Sequence, residues 1–365
     1  MWIYPRVQIV TVQATIWGLD SAAYPSRRDP RAEWPMSVNV LISCAGLQAG
    51  LVRMFQEALA GRGEVIATDV DPLSAAFCVA DRSFAAPPIA HAAYLDWVVE
   101  LCRSNDVGLA LSLFEADTRR LESIRGTLDG AGCRLVGAPP EVIDQTEDKI
   151  RTRELADDIG VAYPGTWTFR EVLEGAALPA GPFVVKRRGG RGSRGLTLEV
   201  SRDEVTALAE ESSEADDWIA QVRLVGEEFG LDVVNDLQAR YRGAYQRRKL
   251  RLESGEAQVA VSAREDALLK LAPRIAERTQ HQGCLNVDLM LVDGAPTLLE
   301  LNARFGGDYA FSHAAGANLP ALLVAWAVGE PIQEAWLHSR PGVTSLRTSS
   351  VLPLAGPPAS WKPEA

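Results

Sequence analysis

GCLNVDLMLVDGAPTLLELNARFGG, residues 283–307, is the stretch of sequence that decides the fold. Apolar residues at every second position from Leu285 to Leu291 predict a β-strand with one buried face. The pair Asp293-Gly294 is typical of a tight turn, and residues 298–302 predict the strand that returns from it. We therefore expect a β-hairpin here.

The polar residues of this hairpin predict a metal site. A hairpin centred on Gly294 places Asp288 opposite Glu300, with Asn302 next on the same face. Two opposed carboxylates repel each other, and a hard divalent cation between them removes the conflict, so oxygen ligands of this kind suit magnesium, or manganese in its place. Arg304 follows on that face, where it can contact transferring phosphate oxygens. The alternative is a partly solvated acidic hairpin.

A glycine- and arginine-rich segment, KRRGGRGSRG at residues 186–195, contains five cations and four glycines without a single acid. Glycines permit positive φ and let backbone N–H groups converge on one point. Because the segment follows a strand that ends at Lys186, it is suited to closing over the phosphates of a nucleoside triphosphate, although it lacks the GxxxxGK[ST] pattern. The alternative is a solvated hairpin.

A second basic segment occupies residues 240–251, and the two segments together hold eleven of the 37 Lys and Arg residues. If both face one cleft, their side chains can neutralise a polyphosphate or bind a carboxylate in a bidentate manner. The alternative is a solvated face of a strand.

Composition excludes several classes of protein. With 37 Lys and Arg against 48 Asp and Glu, the 365 residues carry a net charge of −11, which argues against a general nucleic-acid binder. Five scattered cysteines without a Cys-x-x-Cys pair predict reduced thiols, with no zinc site or disulfide framework. No apolar run is long enough to span a membrane, and the apolar residues 8–18 are interrupted by Gln8 and Gln13, so we expect no secretory signal. We expect a cytoplasmic protein.

The chain changes character along its length. Residues 1–36 lack a helix or strand period and predict an irregular extension. From Val38 onward, strand–helix–strand repetition predicts a parallel sheet covered by helices, and an incomplete GxGxxG turn makes a dinucleotide site a minor alternative. Beyond Pro139 the pattern becomes α+β with hairpins, and a helix is predicted from Ile143 to Ile159. Residues 341–365 predict an irregular tail.

Taken in order, these segments resemble the ATP-grasp ligases, particularly the branch similar to carbamoyl-phosphate synthase large chains, over roughly residues 38–335. Each motif alone is weak, but their order and spacing together are specific. The motifs are Asp148-Lys149, Gly160-Val-Ala-Tyr-Pro164, Phe183-Val-Val-Lys186 with its glycine-rich loop, IAQVRLVGEE at 219–228, Asn286-Val-Asp288 and LELNARFGG at 299–307. The resemblance implies a Rossmann-like pre-ATP-grasp domain at 37–140 and a two-lobed ATP-grasp domain at 141–340, its small lobe at about 150–220 and its large lobe at about 221–340.

The resemblance also implies residue roles. For ATP it implies two lysines, a phosphate-covering loop, a hinge that reads adenine through its backbone and a ribose carboxylate: Lys149, Lys186, Gly190, Ser193, Gln221, Val222, Leu224 and Glu228. For magnesium it implies Asp288, Glu300 and Asn302. The family often has Glu where this chain has Val222 and usually has Pro where it has Ala303, and neither departure removes an implied ligand.

The implied chemistry is ligation of carbon to nitrogen with release of ADP. A carboxylate is first phosphorylated to an acyl phosphate, which an amine then attacks. The side chains expected to spread the transferring charge are Lys186, Lys249 and Arg304. Residues expected to border the substrates, with carboxylate-binding arginines and an ammonium-binding aspartate among them, are Arg248, Arg251, Gly306, Gly307, Asp308 and Glu115. Glu115 and Asp117 have the alternative role of capping the helix that follows them.

The expected partners are a small-molecule carboxylate and amine, amino-acid-like in character, with neither nucleic acid nor membrane, and a homodimer is a reasonable expectation. Two alternatives stay open. One is an enzyme similar to carbamoyl-phosphate synthase that acts through carboxyphosphate, and the other is an ATP-binding subunit without catalysis. The intact set of Asp288, Glu300, Asn302 and Arg304 argues against the second alternative.

Overall fold

The first sheet of the fold is parallel, as the strand–helix–strand repetition predicts. The structure is a computed structural model, and it describes residues 37–189, 197–253 and 255–353. The strands of this sheet are β1 (Asn39–Ser43), β2 (Val65–Asp69), β3 (Arg82–Ala85), β4 (Val107–Ser112) and β5 (Arg134–Val136), in the order β3-β2-β1-β4-β5. Its helices are α1 (Ala49–Leu59), α2 (Tyr94–Ser104), α3 (Glu115–Glu122) and α4 (Arg125–Gly130), with a 3₁₀ turn at Ala75–Cys78. The carboxyl ends of β1 and β4 therefore share one edge of the sheet.

Two helices follow where the sequence predicts one. The helix expected from Ile143 to Ile159 is split into α5 (Pro140–Glu147) and α6 (Lys149–Ile159). Asp148 lies between them with extended backbone angles, and its carboxylate accepts hydrogen bonds from the N–H groups of Ile150 and Arg151. An aspartate that satisfies the first N–H groups of a helix is an N-cap, so Asp148 starts α6 instead of continuing α5.

A small antiparallel sheet comes next, in the order β6-β9-β7-β8. It contains β6 (Thr166–Thr168), β7 (Phe183–Arg187), β8 (Thr197–Val200) and β9 (Trp218–Val222), with helices α7 (Phe169–Leu173) and α8 (Arg202–Glu211). Both helices begin with a capping box, Thr168 with Glu171 and Ser201 with Glu204, in which side chain and backbone satisfy each other's donors. The helices cover a core that includes Phe183.

The large sheet is antiparallel and has six strands, in the order β14-β13-β10-β11-β12-β15. They are β10 (Glu227–Asn235), β11 (Tyr241–Glu253), β12 (Glu256–Ala263), β13 (Gly283–Val292), β14 (Ala295–Asn302) and β15 (Thr344–Leu346). Helices α9 (Asp266–Thr279), α10 (Tyr309–Ala314) and α11 (Leu319–Val328) and a 3₁₀ turn at Glu334–Leu337 complete this region. The tail predicted to be irregular from residue 341 is corrected here, because residues 344–346 pair with β12.

The fold class expected from the sequence, a parallel-sheet domain followed by an α+β region with antiparallel sheets, is confirmed. Within the described ranges, the helices are too short or too polar to cross a lipid bilayer. One apolar cluster joins the two parts of the molecule, because Phe55 of α1 packs with Phe305 beyond the end of β14 and with Leu322 of α11. The carboxyl edge of the first sheet is thereby held next to the end of the β13–β14 hairpin.

Candidate active site

The hairpin pairs its two carboxylates as predicted. Asp288 of β13 lies opposite Glu300 of β14, and Asn302 follows on the same strand. The turn consists of Asp293 and Gly294, both with positive φ (50° and 79°), as the favoured two-residue hairpin turn requires. A hairpin centred on Gly294 would have a one-residue turn, whereas the observed turn has two residues. A β-bulge beside Asp288 adds one residue to β14 and so restores the expected pairing of Asp288 with Glu300.

The bulge has a packing reason. Leu298 and Leu301 are both buried in the apolar cluster below the hairpin, although strict alternation would send them to opposite faces. One extra residue, Leu299, lets both leucines face that cluster while Glu300 remains on the opposite side.

One side of the large sheet is polar over its central part. Phe229, Leu231 and Val287 face the apolar cluster, so their neighbours in sequence face the other way. We call the polar part of this other side the polar face, and its residues are Glu228, Gly230, Asp232, Arg247, Lys249, Asn286, Asp288, Glu300 and Asn302. A sheet that concentrates opposite charges on one side, above a largely apolar layer, is built for binding more than for stability.

Lys249 lies at the centre of the polar face. Its Nζ is 2.7 Å from Asp288 Oδ1, 2.9 Å from Glu228 Oε1 and 3.8 Å from Asp308 Oδ2, and only 2% of its side chain is exposed. Burial alone would lower the pKa of Lys249, but Asp288 and Glu228 outweigh burial and raise it. The lysine predicted to be catalytic is therefore a fixed cation beside a predicted metal ligand, and the predicted ribose carboxylate Glu228 contacts this lysine.

Arg247 is a buried cation of the second basic segment, to which the sequence assigned no role of its own. Its side chain is fully buried, its Nη1 is 2.5 Å from Asp232 Oδ2, and Ser312 donates to the same carboxylate oxygen. Gly230 leaves space for the guanidinium, since a Cβ there would lie 2.8 Å from Arg247 Cζ. Alternation along β11 from Lys249 would have identified Arg247.

The structure does not bring Arg248 and Arg251 to the polar face. Arg248 is exposed and paired with Glu227, and Arg251 is exposed and 3.7 Å from Glu253. Both were expected to bind a substrate carboxylate. Strand alternation turns Arg248 away from the face that Lys249 occupies, and a register shift between Lys249 and Arg251 interrupts the alternation that would keep Arg251 on that face.

The two predicted nucleotide lysines lie close together. Lys186 ends the buried part of β7, and Lys149 begins α6. Burial and the neighbouring Lys149 ammonium lower the pKa of Lys186 to about 8, while the Glu300 carboxylate acts in the opposite direction. Lys186 is thus within electrostatic reach of the hairpin.

A cavity of about 250 Å³ lies where these elements meet. Its lining residues are Glu115, Thr146, Glu147, Gly189, Glu300, Leu301 and Asn302. Glu115, at the start of α3, reaches it from the carboxyl edge of the first sheet, and Arg304 Nε is 2.8 Å from Glu115 Oε1. Asp117 neither lines this cavity nor caps α3, because it accepts hydrogen bonds from Ser43 and Tyr94 in the core.

Arg347 holds the loop after the hairpin. Its Nη2 donates to Asp308 Oδ1 at 2.7 Å and to the Gly307 carbonyl at 3.1 Å. Burial raises the pKa of Asp308, although the cations Arg247, Lys249 and Arg347 act in the opposite direction. Asp308, expected to bind a substrate ammonium, is already paired with Arg347 and lies near Lys249. Gly306 is required beside it, because a Cβ there would lie 2.6 Å from Asn286 Cγ.

The predicted adenine hinge lies between the small and large sheets. Gln221 is buried and donates to Thr166 Oγ1 at 2.8 Å, and Val222 donates its N–H to the Gly165 carbonyl, also at 2.8 Å. Leu224 lies in the short connection from β9 to β10. Gly190 and Ser193, predicted to cover the phosphates, fall outside the described residues.

The oxygen atoms at the hairpin fit a magnesium ion. Glu300 and Asn302 line the cavity, and Asp288 lies opposite Glu300, which gives two carboxylates and one amide oxygen, the ligand types that magnesium prefers. Among the described residues, no cluster of three or more His, Cys, Asp or Glu side chains forms a metal site by itself. A magnesium site here therefore needs the amide oxygen of Asn302 as a ligand. It also requires that Asp288 either release Lys249 or contact Lys249 and the ion together.

Two segments of the chain match described family models. Residues 40–136 match the family model of the PylC-like N-terminal domain, and residues 214–348 match the model described as ATP-grasp in the biosynthetic pathway with Ter operon. The chain is 24% identical over 254 residues to the arginine-specific large chain of carbamoyl phosphate synthase from Geobacillus stearothermophilus, covering 66% of this chain and 23% of that one. It thus spans about a quarter of that relative's length.

Solved structures show the same fold. Carboxyaminoimidazole ribonucleotide synthase from Aspergillus clavatus, complexed with ATP, has a TM-score of 0.65 at 15% identity and covers 85% of this chain and 82% of its own. The L-amino acid ligase from Bacillus licheniformis has a TM-score of 0.62 at 20% identity, covering 85% and 79%. On the strength of the two family matches, the chain contains a PylC-like N-terminal domain at residues 40–136 followed by an ATP-grasp domain that includes residues 214–348.

Proposed function

We propose that this protein is an ATP- and magnesium-dependent ligase that activates a small-molecule carboxylate as an acyl phosphate and joins it to an amine. The observation that carries the proposal is the meeting of three elements at one cavity: the Glu300–Asn302 end of the hairpin, Gly189 after β7, and Glu115 at the edge of the first sheet. ATP-grasp relatives support the same class of reaction.

The chemistry requires charge neutralisation and exclusion of water. A carboxylate is a poor electrophile, so its oxygen must first attack the terminal phosphorus of ATP, with departure of ADP. Lys149 and Lys186 supply positive charge beside the phosphates, and Asp288, Glu300 and Asn302 would hold magnesium, which neutralises phosphate charge when bound. Lys249 fixes the position of Asp288 by an ion pair at 2.7 Å.

The second half of the reaction is attack by the amine on the acyl carbon, with phosphate leaving. No covalent enzyme intermediate is required, because the acyl phosphate is itself the activated species. Arg304 extends from the end of the hairpin to Glu115, so its guanidinium borders the space between the two parts of the molecule. We assign the substrates to this space, with Glu115 and the Gly306–Asp308 loop on its two sides.

The proposal is tested by phosphate release from ATP and magnesium against a panel of amino acids, singly and in pairs, with bicarbonate plus ammonia included. We expect release that depends on one carboxylate and one amine, together with a new amide detected by mass. Release with bicarbonate and ammonia alone would instead favour carbamoyl-phosphate chemistry, and absence of release with every combination would contradict the ligase.

A matched pair of variants links any activity to the hairpin. Glu300→Gln should lower turnover by at least about a hundredfold, because a ligand and its charge at the reacting phosphates are lost. Glu227→Gln is the control, since its exposed carboxylate pairs with Arg248 away from the polar face. Full turnover in the Glu300 variant would refute the assignment.

A further inference from the structure

An arginine–aspartate pair joins the strand that carries one nucleotide lysine to the helix that carries the other. Arg188 directly follows β7, and its Nε lies 2.9 and 3.0 Å from the two carboxylate oxygens of Asp148 while its Nη2 lies 2.7 Å from Oδ2. Asp148 and Gly189 also form an isolated β-bridge. A planar guanidinium that faces both oxygens of a carboxylate fixes orientation as well as distance.

The two members of the pair flank the two lysines in sequence. Lys149 follows Asp148 directly, and Lys186 precedes Arg188 by two positions. The Arg188 carbonyl accepts a hydrogen bond from the Lys149 backbone N–H at 3.2 Å and a longer one from its Nζ at 3.5 Å. The same residue therefore contacts the beginning of α6 through both its side chain and its backbone.

Holding the two lysines together opposes their repulsion. The ammonium of Lys149 contributes to the lowered pKa of Lys186, which shows that each charge is felt by the other. Burial alone would raise the pKa of Asp148, but Arg188 and the N–H group of Ile150 outweigh burial and lower it, so the ion pair persists at neutral pH. An attraction between the same two elements offsets the repulsion between their lysines.

We propose that Arg188 is a positioning residue: by its ion pair with Asp148 it sets Lys149 beside Lys186 and so determines the affinity for the nucleotide. The inference rests on the nucleotide site of the proposed function. Arg188 acts through Asp148, and the phosphates are contacted by the lysines.

The test is titration of the full-length protein with magnesium–ADP by isothermal calorimetry, which requires neither the carboxylate nor the amine. Arg188→Gln and Asp148→Asn should each weaken binding by about tenfold, the loss expected for one well-formed charge-assisted contact. Asparagine remains a good N-cap, so Asp148→Asn removes the charge and keeps the start of α6. The double variant should bind no more weakly than either single variant, because both remove the same contact.

Two further variants complete the design. Arg188→Lys retains the charge and should recover part of the lost affinity. Arg170→Gln is the control, because Arg170 forms an exposed pair with Asp216 in the same lobe, at 2.9 Å, and should leave binding unchanged. Thermal denaturation of each variant establishes that it is folded.

The outcomes separate the possible failures. If Arg188 contacts phosphate directly, Asp148→Asn will leave binding unchanged or tighten it while Arg188→Gln weakens it, and the positioning role is overturned. If both variants bind within twofold of the unaltered protein, it is also overturned. If the unaltered protein fails to bind magnesium–ADP, the proposed function fails and takes this inference with it.

Discussion

Replacing Lys249 by Met should destabilise the protein far more than replacing the preceding residue, Arg248, by Met. Each cation pairs with a glutamate of β10, but the Lys249 side chain is 2% exposed and contacts three carboxylates, whereas the Arg248 side chain is 42% exposed and contacts one. Methionine keeps the unbranched shape of lysine, so the change removes mainly the charge.

The magnitude follows from what is left behind. Removing one partner of a buried ion pair costs about 3–5 kcal/mol. Asp288 and Glu228 are 20% and 22% exposed, so water reduces the cost of stranding them, and we expect the lower end, about 3 kcal/mol. An exposed pair contributes about 0–1 kcal/mol, which bounds the effect of Arg248→Met.

Urea denaturation, followed by tryptophan fluorescence and circular dichroism, measures the difference between the two variants. We expect Lys249→Met to lose at least about 2 kcal/mol more stability than Arg248→Met. Equal losses would refute the reasoning, because they would mean that the polar face does not depend on its central cation.

Three further predictions concern the cavity and its borders. Glu115→Gln removes the charge that holds the Arg304 guanidinium, so kcat should fall about tenfold with little change in magnesium–ADP affinity. An unchanged kcat in the phosphate-release assay would contradict this expectation. Gly306→Ala should cost about 1–3 kcal/mol in thermal or urea denaturation because its Cβ would lie 2.6 Å from Asn286, while Gly307→Ala, which meets nothing within 4 Å, should cost little; similar stabilities would count against the close approach. Magnesium–ADP affinity should fall as pH rises through about 8, where Lys186 loses its proton and can no longer pair with phosphate; Lys186→Arg should flatten this dependence, and the same pH profile in both proteins would assign it to another group.

The hairpin shows how far sequence patterns can predict this protein. Alternating apolar residues and an Asp-Gly turn are local signals, so the pairing of Asp288 with Glu300 followed from them. The bulge at Leu299 did not, because it depends on which leucines the layer below accepts. The predicted pairing of Asp288 with Glu300 is nevertheless correct, because the longer turn and the bulge compensate each other.

Other differences have the same origin in non-local contacts. The break at Asp148 is hidden in a continuous helical pattern, and the carboxylate that caps α6 there also pairs with Arg188, forty positions later. Arg248 was chosen by charge without regard to strand alternation, which instead buries Arg247 and Lys249. Charge clusters predict that cations are needed, and only the faces of the strands decide which ones turn inward.

The last described strand has a consequence for the order in which the molecule is completed during synthesis. Arg347 bonds through its Nε to the Ala257 carbonyl, ninety positions earlier, and through Nη2 to Asp308. Because chains are made from the amino terminus, every residue of the polar face and of the Gly306–Asp308 loop leaves the ribosome before Arg347. A nascent chain stopped before residue 347 therefore contains every residue that lines the cavity but lacks the arginine that pairs with Asp308, so this contact forms only after the other residues have been made.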